Sequence, residues 1–469
     1  MSQHRTLLRA RRLLRDAMSP VEQDMGVLLY GGAIIDVAPY DDLRGVGAEV
    51  VEWDGLVMPG LVDAHSHLRG ISTRRQGVED AELERWVVRL GALTALDGRA
   101  DALVAACDLL RTGVTGVLAV HHSFAGPEEY LASARAMRGA LLTAGLRGDV
   151  VLGVTDAHEL APAGAVVSAA PPPVDAPALL HALAGLGLGD RTGDVRWATG
   201  PVGPQWCTDA TLAGIAALAA EHGLRVHTHL METVHQRDWV PDGTPVERLA
   251  RTGLLSDALS VAHGVWLSRS EQAELAAAGA TAVHCPTSNL RLRSGSAPVP
   301  AWLAAGLPVA LGMDSATEED GPDMFAELRA AVRNAELHER PGLHREVLAM
   351  ATTGGARALG RRRLGAVARG YDADLVLLDG PPADAPDVES LVESASRHDV
   401  RRVLVDGELR LDDGVPAGCP EVDDLRAGLL GTVDEDEVAR RFRLASLAAA
   451  EAEVGEALGA LAGGPGARR

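Results

Sequence analysis

The feature of this chain that most restricts its fold is a repeated alternation of short apolar runs with longer segments of helical spacing. Eight such runs follow one another along the central part of the chain: LVMPGLVDAHSH, VTGVLAVHH, DVVLGVTD, VRWATGPVGP, LRVHTHL, LSVAHGV, ATAVHCP and LPVALGMDS. Eight β/α units in about this length predict an α/β fold, a (β/α)8 TIM barrel. An open, doubly wound sheet is the alternative. No GxGxxG follows the first run, so its nucleotide-binding version has little support.

The segments between the runs carry the start and stop signals of helices. Two clear examples are DATLAGIAALAAEH and SRSEQAELAAA. Asp209 and Ser268 stand where an N-cap is expected, and Gly223 and Gly279 stand where a C-cap glycine is expected. These signals support helices that alternate with the strands.

The two ends of the chain do not follow this pattern, because short strands there are separated by glycine and aspartate turns. Residues 1–56 and 366–432 are therefore predicted to form one small composite β-sandwich domain, beside a barrel domain at 57–365. Residues 433–469 are predicted to form a helix on the outside, followed by a disordered end. The Ala/Pro/Gly stretch at 161–177 is predicted to be a flexible surface loop.

Composition narrows the class of protein. The 469 residues are 47% hydrophobic, enough for a large core, and the net charge of -21 argues against a nucleic-acid partner. The basic N-terminal segment lacks the apolar core of a secretory signal and is predicted to enter a surface strand pair. No apolar run reaches the ~18 residues of a membrane span. We expect a soluble, cytoplasmic protein without a membrane partner.

Cysteine and lysine usage excludes several kinds of chemistry. The 4 cysteines are scattered without a CxxC pair, so neither a disulfide framework nor a thiolate zinc site is indicated. The chain contains no lysine. No lysine amine is therefore present to form a Schiff base, to act as a nucleophile, or to bridge two metals after carbamylation.

Polar residues with metal-binding chemistry follow the first, fifth, sixth and eighth runs, where the carboxyl ends of barrel strands carry function. Because side chains alternate along a strand, His65 and His67 point the same way. The further candidates are His227, His229, Glu232, His263 and Asp314. Three histidines and one carboxylate with an open position make a catalytic zinc site, which lowers the pKa of a bound water to ~7.

Each candidate also has a plain structural alternative. One of His227 and His229 suffices as a ligand, and His229 is favoured because it lies nearer the strand end. His227 is then a packed histidine or one that supports a ligand. Glu232 is assigned a catalytic role against the alternative of a solvated loop acid. His263 and Asp314 are assigned to the site against structural roles as a packed histidine and a turn residue.

Several motifs together resemble the amidohydrolase superfamily. They are PGLVDAHSH, the HxHxxE of HTHLMET, the AHG of the sixth run and the GMDS of the eighth. The segment CPTSNLRLRSGSAPV resembles the strand-7 loop of one branch, and ADLVLLD and VLVDGE resemble its composite β domain. That branch holds chlorotriazine hydrolases and guanine, 8-oxoguanine and S-adenosylhomocysteine deaminases.

The resemblance implies a mononuclear site in which His65, His67, His229 and Asp314 hold one Zn²⁺ per chain, with Fe²⁺ as the alternative. It implies that Asp314 takes the proton from the metal-bound water and that His263 orients this water. It implies that Glu232 protonates a ring nitrogen of the substrate. A homodimer or tetramer is also implied.

The predicted function is hydrolysis of a C–N bond in a nitrogen heterocycle, such as a purine, pterin, pyrimidine or triazine, with release of ammonia. An acid at Glu232 favours this over dechlorination, because some triazine dechlorinases of the branch lack it. Two alternatives remain: a hydrolase with another leaving group, such as a halide or an N-acyl, guanidino or charged substrate, and a non-catalytic metal-binding scaffold.

Residues after the remaining runs are candidates for substrate contact. Gln205 and Trp206 offer a hydrogen bond and a stacking face, although Trp206 is also suited to packing the barrel rim. His122 follows the second run and suits either a substrate contact or a supporting role. Asn289 lies in the strand-7 motif, with structure or substrate contact as its alternatives. Arg293 offers a guanidinium for a carboxylate or phosphate, or is a solvated loop charge.

One further feature departs from the resemblance. An acidic run of Glu318, Glu319 and Asp320 follows Asp314, where an uncharged polar loop is expected. It faces either a cationic substrate or solvent.

Overall fold

The computed structural model describes residues 5–122, 126–156, 175–189, 193–240, 242–314 and 321–462. Within these ranges, strands form two sheets of 8 strands each. The first strands are β1 (Thr6–Leu14), β2 (Val21–Tyr30), β3 (Ala33–Pro39) and β4 (Glu49–Pro59). The next are β5 (Leu61–Ser66), β6 (Val114–His121), β7 (Arg147–Val154), β8 (Val195–Pro201), β9 (Val226–Leu230), β10 (Leu259–His263), β11 (Thr281–His284) and β12 (Val309–Leu311). The last are β13 (Leu375–Leu378), β14 (Val400–Val405), β15 (Glu408–Asp412) and β16 (Val415–Pro416).

Strands β5 to β12 lie side by side in chain order and are all parallel. A bridge between Ser66 and Asp314 joins the segment after β12 back to β5. The peptide N–H of Asp314 donates to the carbonyl of His65 at 2.7 Å, and that of His67 donates to the carbonyl of Asp314 at 2.9 Å. The predicted (β/α)8 barrel is therefore confirmed, with one strand in each of the eight runs.

Helices in the described ranges follow most of these strands. They are α1 (Tyr40–Leu43), α2 (Leu83–Leu90), α3 (Gly98–Arg111), α4 (Pro127–Ala144), α5 (Ala176–Ala184), α6 (Asp209–His222), α7 (Pro245–Arg251), α8 (Arg269–Ala277), α9 (Pro286–Arg291), α10 (Val299–Ala304), α11 (Met324–Leu337), α12 (His344–Ala349), α13 (Gly355–Ala358), α14 (Val388–Ser394), α15 (Val422–Glu435) and α16 (Glu437–Ala462). The main core packs strand side chains such as Leu152 against helix side chains such as Leu141 and Leu212. No described helix is both long and apolar enough to cross a bilayer.

Helix ends agree with the sequence signals in three of four places. Ser268 caps α8 and forms a capping box with Glu271, and Gly223 ends α6 in the left-handed region. Gly279 follows the end of α8 at φ 73°. The N-cap of α6 is Thr208 and not Asp209, because the Thr208 side chain accepts from the Thr211 peptide. Asp209 is the first helical residue.

Both chain ends build the second sheet, in the order β16-β15-β14-β13-β4-β1-β2-β3. It is a mixed sheet, in which β1 and β4 are parallel and the other neighbours are antiparallel. β1 pairs with β2 on one side and with β4 on the other. The domain boundaries at 56/57 and 365/366 stay predictions, and β4 runs across the first of them.

The chain passes from one sheet to the other at Gly60. The sequence predicted a single strand through this region, but β4 ends at Pro59, paired with Leu375, and β5 begins at Leu61, paired with Val114. A Cβ on Gly60 would lie 2.2 Å from Oγ1 of Thr115. Glycine is therefore required where the backbone changes sheets.

The C-terminal segment contains two helices, where one helix from residue 433 was predicted. α15 ends at Glu435 and α16 begins at Glu437. α16 packs on the outside, where Val454 contacts the apolar cluster of α2 and Glu451 pairs with Arg89 at 2.6 Å. The predicted disordered end and all but the last residues of the predicted 161–177 loop lie outside the described residues. Ala176 and Pro177 begin α5.

Candidate metal centre and active site

Five side chains converge at the carboxyl end of the barrel, from β5, β9, β10 and the segment after β12. Oδ1 of Asp314 lies 3.3 Å from Nε2 of His65 and 3.3 Å from Nε2 of His67. Nε2 of His229 lies 3.3 Å from Nε2 of His67. Four residues offer ligand atoms that all lie within 4.8 Å of one another: His65, His229, His263 and Asp314. The ligands predicted from the sequence were His65, His67, His229 and Asp314. The two sets share three residues and differ in containing His263 or His67.

Hydrogen bonds fix which ring nitrogen faces this centre. Nδ1 of His229 lies 2.6 Å from the carbonyl of Val202, which can only accept, so this nitrogen carries a proton. Nδ1 of His263 lies 2.9 Å from Oδ1 of Asn289. Both rings therefore present the lone pair of Nε2 toward the other candidate ligands.

His65 contacts a second buried histidine, His227. Nδ1 of His65 lies 2.7 Å from Nε2 of His227, and Nδ1 of His227 lies 2.8 Å from Oγ of Ser260. Nε2 of His65 is buried and has no hydrogen-bond partner among the residues that the structure describes, and Oδ1 of Asp314 lies 3.3 Å away. A buried lone pair without a partner, surrounded by other potential metal-ligand atoms, is what a bound cation would satisfy.

The electrostatics of the centre also fit a metal. Burial lowers the pKa of His65 to about 4 and lowers the pKa values of His229 and His263, so these rings are neutral at pH 7. Burial alone would raise the pKa of Asp314, but the adjacent rings of His65 and His67 hold it well below its usual range. Neutral imidazoles and one carboxylate form a donor set that fits a divalent ion such as zinc.

Glu232 follows β9 and is the second carboxyl of the site. Its Oε2 lies 3.5 Å from Nε2 of His263, and Oγ of Ser294 donates to its Oε1 at 3.4 Å. Burial raises the pKa of Glu232 well above its usual range, and the charges of Asp314 and Glu84 add to this. Burial therefore favours the protonated form of Glu232, which can donate a hydrogen bond or a proton.

Comparison with known proteins identifies the family. The Amidohydrolase family model matches residues 56–410, which is most of the chain. This chain belongs to the amidohydrolase family.

Named relatives of this amidohydrolase include several deaminases. A 5-methylthioadenosine/S-adenosylhomocysteine deaminase of Moorella thermoacetica is 32% identical, over 76% of this chain and 82% of its own length. An 8-oxoguanine deaminase of Pseudomonas aeruginosa is 32% identical, over 75% of this chain and 82% of its own. The solved structure of an adenosine deaminase from Xanthomonas campestris with bound zinc is similar, with a TM-score of 0.79 and 27% identity over 92% of this chain and 98% of that one. The amidohydrolase is therefore a metal-dependent hydrolase that acts on C–N bonds.

Several site residues of this amidohydrolase have left-handed backbone conformations. His263 has φ 70° and Asp314 has φ 61°, while Met231, which precedes Glu232, has φ 49°. Leu68, which follows His67, has φ 47°. Such conformations cost non-glycine residues about 1–3 kcal/mol each and concentrate at functional sites. The backbone is thus strained where the strand ends present the site.

Three of the predicted substrate contacts lie after β6 and β8. The ring centroid of His122 lies 5.1 Å from that of His67, so His122 borders the metal centre. Gln205 is buried and Trp206 is half-buried, in a short turn after β8. Within the described ranges, Nε2 of Gln205 and Nε1 of Trp206 are buried and meet no hydrogen-bond partner.

The other predicted contacts lie after β11. Asn289 is buried on His263, so its carbonyl oxygen is engaged within the protein. Arg293 is exposed and pairs with Glu82 at 3.0 Å, which agrees with the alternative of a surface loop charge. The acidic run at 318–320 lies outside the described residues.

Sequence reasoning missed the serines that support the acids. Oγ of Ser288 donates to Oδ2 of Asp314, and Ser294 donates to Glu232. With Asn289, they come from one segment after β11, and each contacts a different polar group of the site. The signal was present in the SN pair of CPTSNLRLRS, but it did not show which partners these side chains would meet.

Proposed function

We propose that this protein is a zinc-dependent aminohydrolase that releases ammonia from a nitrogen heterocycle. The observation that carries the proposal is the buried carboxyl of Glu232, 3.5 Å from His263 and in the same site as Asp314, with the pKa of Glu232 raised and that of Asp314 lowered. One acid and one base held apart in a single site suit a reaction that needs a proton delivered and a proton accepted. The deaminases among the relatives support the same class of substrate.

We assign His65, His67, His229 and Asp314 as ligands of one Zn²⁺ per chain. Bound there, the ion supplies Lewis-acid activation of a water molecule. His67 is preferred to His263 because Nε2 of His67 lies 3.3 Å from both Asp314 and His229, whereas Nε2 of His263 faces Glu232. The absence of lysine agrees with a single ion, since no carbamylated lysine can bridge two.

The protein residues then move two protons. As the water oxygen bonds to the amino-bearing carbon, the Asp314 carboxylate accepts the proton that this water loses. His263, held by Asn289, orients the water and stabilises the charge that develops. The Glu232 carboxyl donates its proton to the neighbouring ring nitrogen. The C–N bond then breaks as the amino group takes the proton held by Asp314 and leaves as ammonia. The remaining hydroxyl proton returns to Glu232 as the product carbonyl forms.

Ammonia release tests this proposal directly. Zinc-loaded protein is assayed against aminated purines, pterins, pyrimidines and triazines. We expect one class to release ammonia and Glu232→Gln to lose more than about a hundredfold of that activity, within the usual range for a general acid. Glu232→Gln should keep one metal per chain, whereas Asp314→Asn should lose activity and bind the metal more weakly.

Other outcomes contradict the proposal. Near-native turnover by Glu232→Gln, or loss of its metal, would show that the acid is wrongly assigned. Release of chloride or another group in place of ammonia would replace the deaminase with a hydrolase of different specificity. A zinc-loaded protein inactive toward every class would favour a scaffold.

We also propose that the protein is cytoplasmic and forms a homodimer or tetramer. Light scattering measures the mass of the assembly and so tests the second part.

A further inference from the structure

Helix α16 packs on the rest of the protein through one of its sides. The side chains of Val454 and Leu458 lie in one apolar cluster with Val88 of α2. Glu451, on the same side of the helix, pairs with Arg89 of α2 at 2.6 Å. Because an α-helix has 3.6 residues per turn, these three residues of α16 point in nearly the same direction. The contact with α2 therefore accounts for one side of the helix and not for the other.

The opposite side of α16 is also apolar, although it is exposed. Val438 is 68% exposed and Phe442 is 74% exposed. Ala445, Ala449 and Ala452 continue the same row and are exposed as well. The successive steps of four and three residues are those of neighbours on one face of a helix. We call these five residues the outer stripe of α16.

An exposed apolar row of this length calls for a contact. Single apolar side chains are common on protein surfaces, whereas a continuous apolar patch marks an interaction surface. A helix on the outside of a domain needs one apolar side for its own packing, with polar residues on the other. The outer stripe has large side chains, Val438 and Phe442, where such a helix carries polar ones.

The shape of the outer stripe fits a second copy of the same helix in antiparallel orientation. In a pair with two-fold symmetry the same surface is used by both copies, so that each half of the stripe meets the other half. Ala445 and Ala449 lie in the middle, where their small side chains let the two helices approach closely. Phe442 of one copy then lies opposite Ala452 of the second copy, and a large side chain faces a small one, as in ridges-into-grooves packing.

The charges beside the outer stripe favour the same orientation. Arg441 is exposed in the N-terminal half of α16, and Glu456 is exposed in the C-terminal half. An antiparallel pair brings Arg441 of one copy near Glu456 of the second copy, whereas a parallel pair would bring the two Glu456 side chains together. Arg441 also pairs with Glu437 of its own helix at 2.5 Å, so the second copy would add a second carboxylate to this guanidinium.

We propose that α16 is the contact surface of a homodimer, in which the outer stripes of two copies pack antiparallel about a two-fold axis near Ala445 and Ala449. The inference names the surface for the assembly that is part of the proposed function. It places the interface on the side of α16 that faces away from α2.

The mass of the assembly tests the inference on the full chain. Light scattering after gel filtration, over a dilution series, should show the wild type as a dimer or as an assembly of dimers. Phe442→Glu should raise the dissociation constant of the pair at least about tenfold, equal to about 1.4 kcal/mol. Leu337→Glu is the matched control, because Leu337 is 75% exposed on α11, and it should leave the dissociation constant unchanged.

An exchange of charges tests the orientation of the two helices. Arg441→Glu and Glu456→Arg should each weaken the pair, and the double variant should restore it, because opposite charges meet again. Circular dichroism confirms that each variant keeps its helices.

Four results would overturn the inference. They are a wild type that is monomeric throughout the dilution series, a Phe442→Glu pair as tight as that of the wild type, an equal weakening by Leu337→Glu, and a double charge variant as weak as the single ones.

The inference and the deaminase assignment fail in different ways. If the copies pair through α16 but no heterocycle releases ammonia, the contact surface stands and the deaminase assignment is wrong. If ammonia is released by a wild type that stays monomeric, or that assembles equally well with Phe442→Glu, the deaminase assignment stands and the contact surface is wrong.

Discussion

At the scale of single residues, the candidate ligands are oriented by partners that sequence patterns do not place. His65 depends on His227, and His229 depends on the carbonyl of Val202. Such partners fix the ring and the tautomer, and their loss usually lowers metal affinity by about 10–100-fold. The functional site therefore includes supporting groups, such as His227 and the carbonyl of Val202, that contact the candidate ligands.

His227→Phe should weaken zinc binding by about 10–100-fold while the fold is retained. The reason is that Nδ1 of His65 loses its partner at 2.7 Å, so the ring is free to turn. Competition with a metal chelator measures the affinity. His181→Phe, on the exposed face of α5, is the control and should bind zinc as the wild type does. Equal affinity in the two variants would contradict a supporting role for His227.

His284 should make stability fall as the pH is lowered. Burial lowers its pKa to about 3, against about 6.5 in an unfolded chain. Between these values the unfolded chain takes up a proton that the folded protein does not, so the free energy of unfolding falls with falling pH, by up to ~1.4 kcal/mol per pH unit. Above pH 6.5 this contribution is absent.

The comparison variant for this effect is His284→Asn. Urea unfolding of the metal-free proteins at pH 7 and pH 4.5 should show the wild type losing stability relative to His284→Asn as the pH falls. A difference between the two proteins that does not change with pH would show that His284 does not titrate in this way.

At the scale of elements, the barrel closes where β5 meets the segment after β12. Asp63 is fully buried there, and its Oδ1 accepts from the peptides of His65 at 3.2 Å and Met313 at 2.9 Å. Burial raises the pKa of Asp63 well above its usual range. The buried carboxyl of Asp63 therefore ties together the two segments that carry His65 and Asp314.

Two substitutions of Asp63 should separate the contribution of its acceptor oxygen from that of its acidic group. Asp63→Asn keeps an acceptor oxygen and should retain the fold and the metal. Asp63→Ala leaves two peptide N–H groups buried without partners, at about 1–3 kcal/mol each, and should also weaken metal binding. Chemical denaturation and metal titration measure the two effects. A destabilised Asp63→Asn with an unaffected Asp63→Ala would contradict this account.

The elements that could be predicted from the sequence are those whose signals lie in neighbouring residues. The eight barrel strands were predictable because each apolar run stands between helical segments, and the shared direction of His65 and His67 follows from strand alternation. The change of sheet at Gly60 was not predictable, because it depends on Thr115, which is distant in sequence.

At the scale of the whole molecule, Arg147 joins the barrel to the sheet built from both chain ends. Arg147 begins β7, and its guanidinium lies 3.0 Å from Asp374, 2.8 Å from Asp194 and 2.8 Å from Asp406. Asp374 precedes β13 and Asp406 follows β14. One buried cation therefore links a barrel strand to the ends of two neighbouring strands of the other sheet, β13 and β14.

Arg147→Met should destabilise the protein by about 3–5 kcal/mol, because Asp374 is left buried without its counter-charge. Arg402→Met is the control. It removes an exposed pair with Asp412 and should cost less than about 1 kcal/mol. Denaturant unfolding measures both. The two costs should differ clearly, and equal costs would refute the buried link.

The left-handed backbone at His263 and Asp314 has a consequence for protein engineering. Glycine adopts these angles freely, so replacement at either position relieves strain while it removes a group that the reaction needs. A library of variants selected only for thermal stability would therefore accumulate substitutions at His263 and Asp314. The selected variants would be more stable but inactive. Selection on this scaffold has to score turnover and melting together, since improvement in one is bought at these positions by loss of the other.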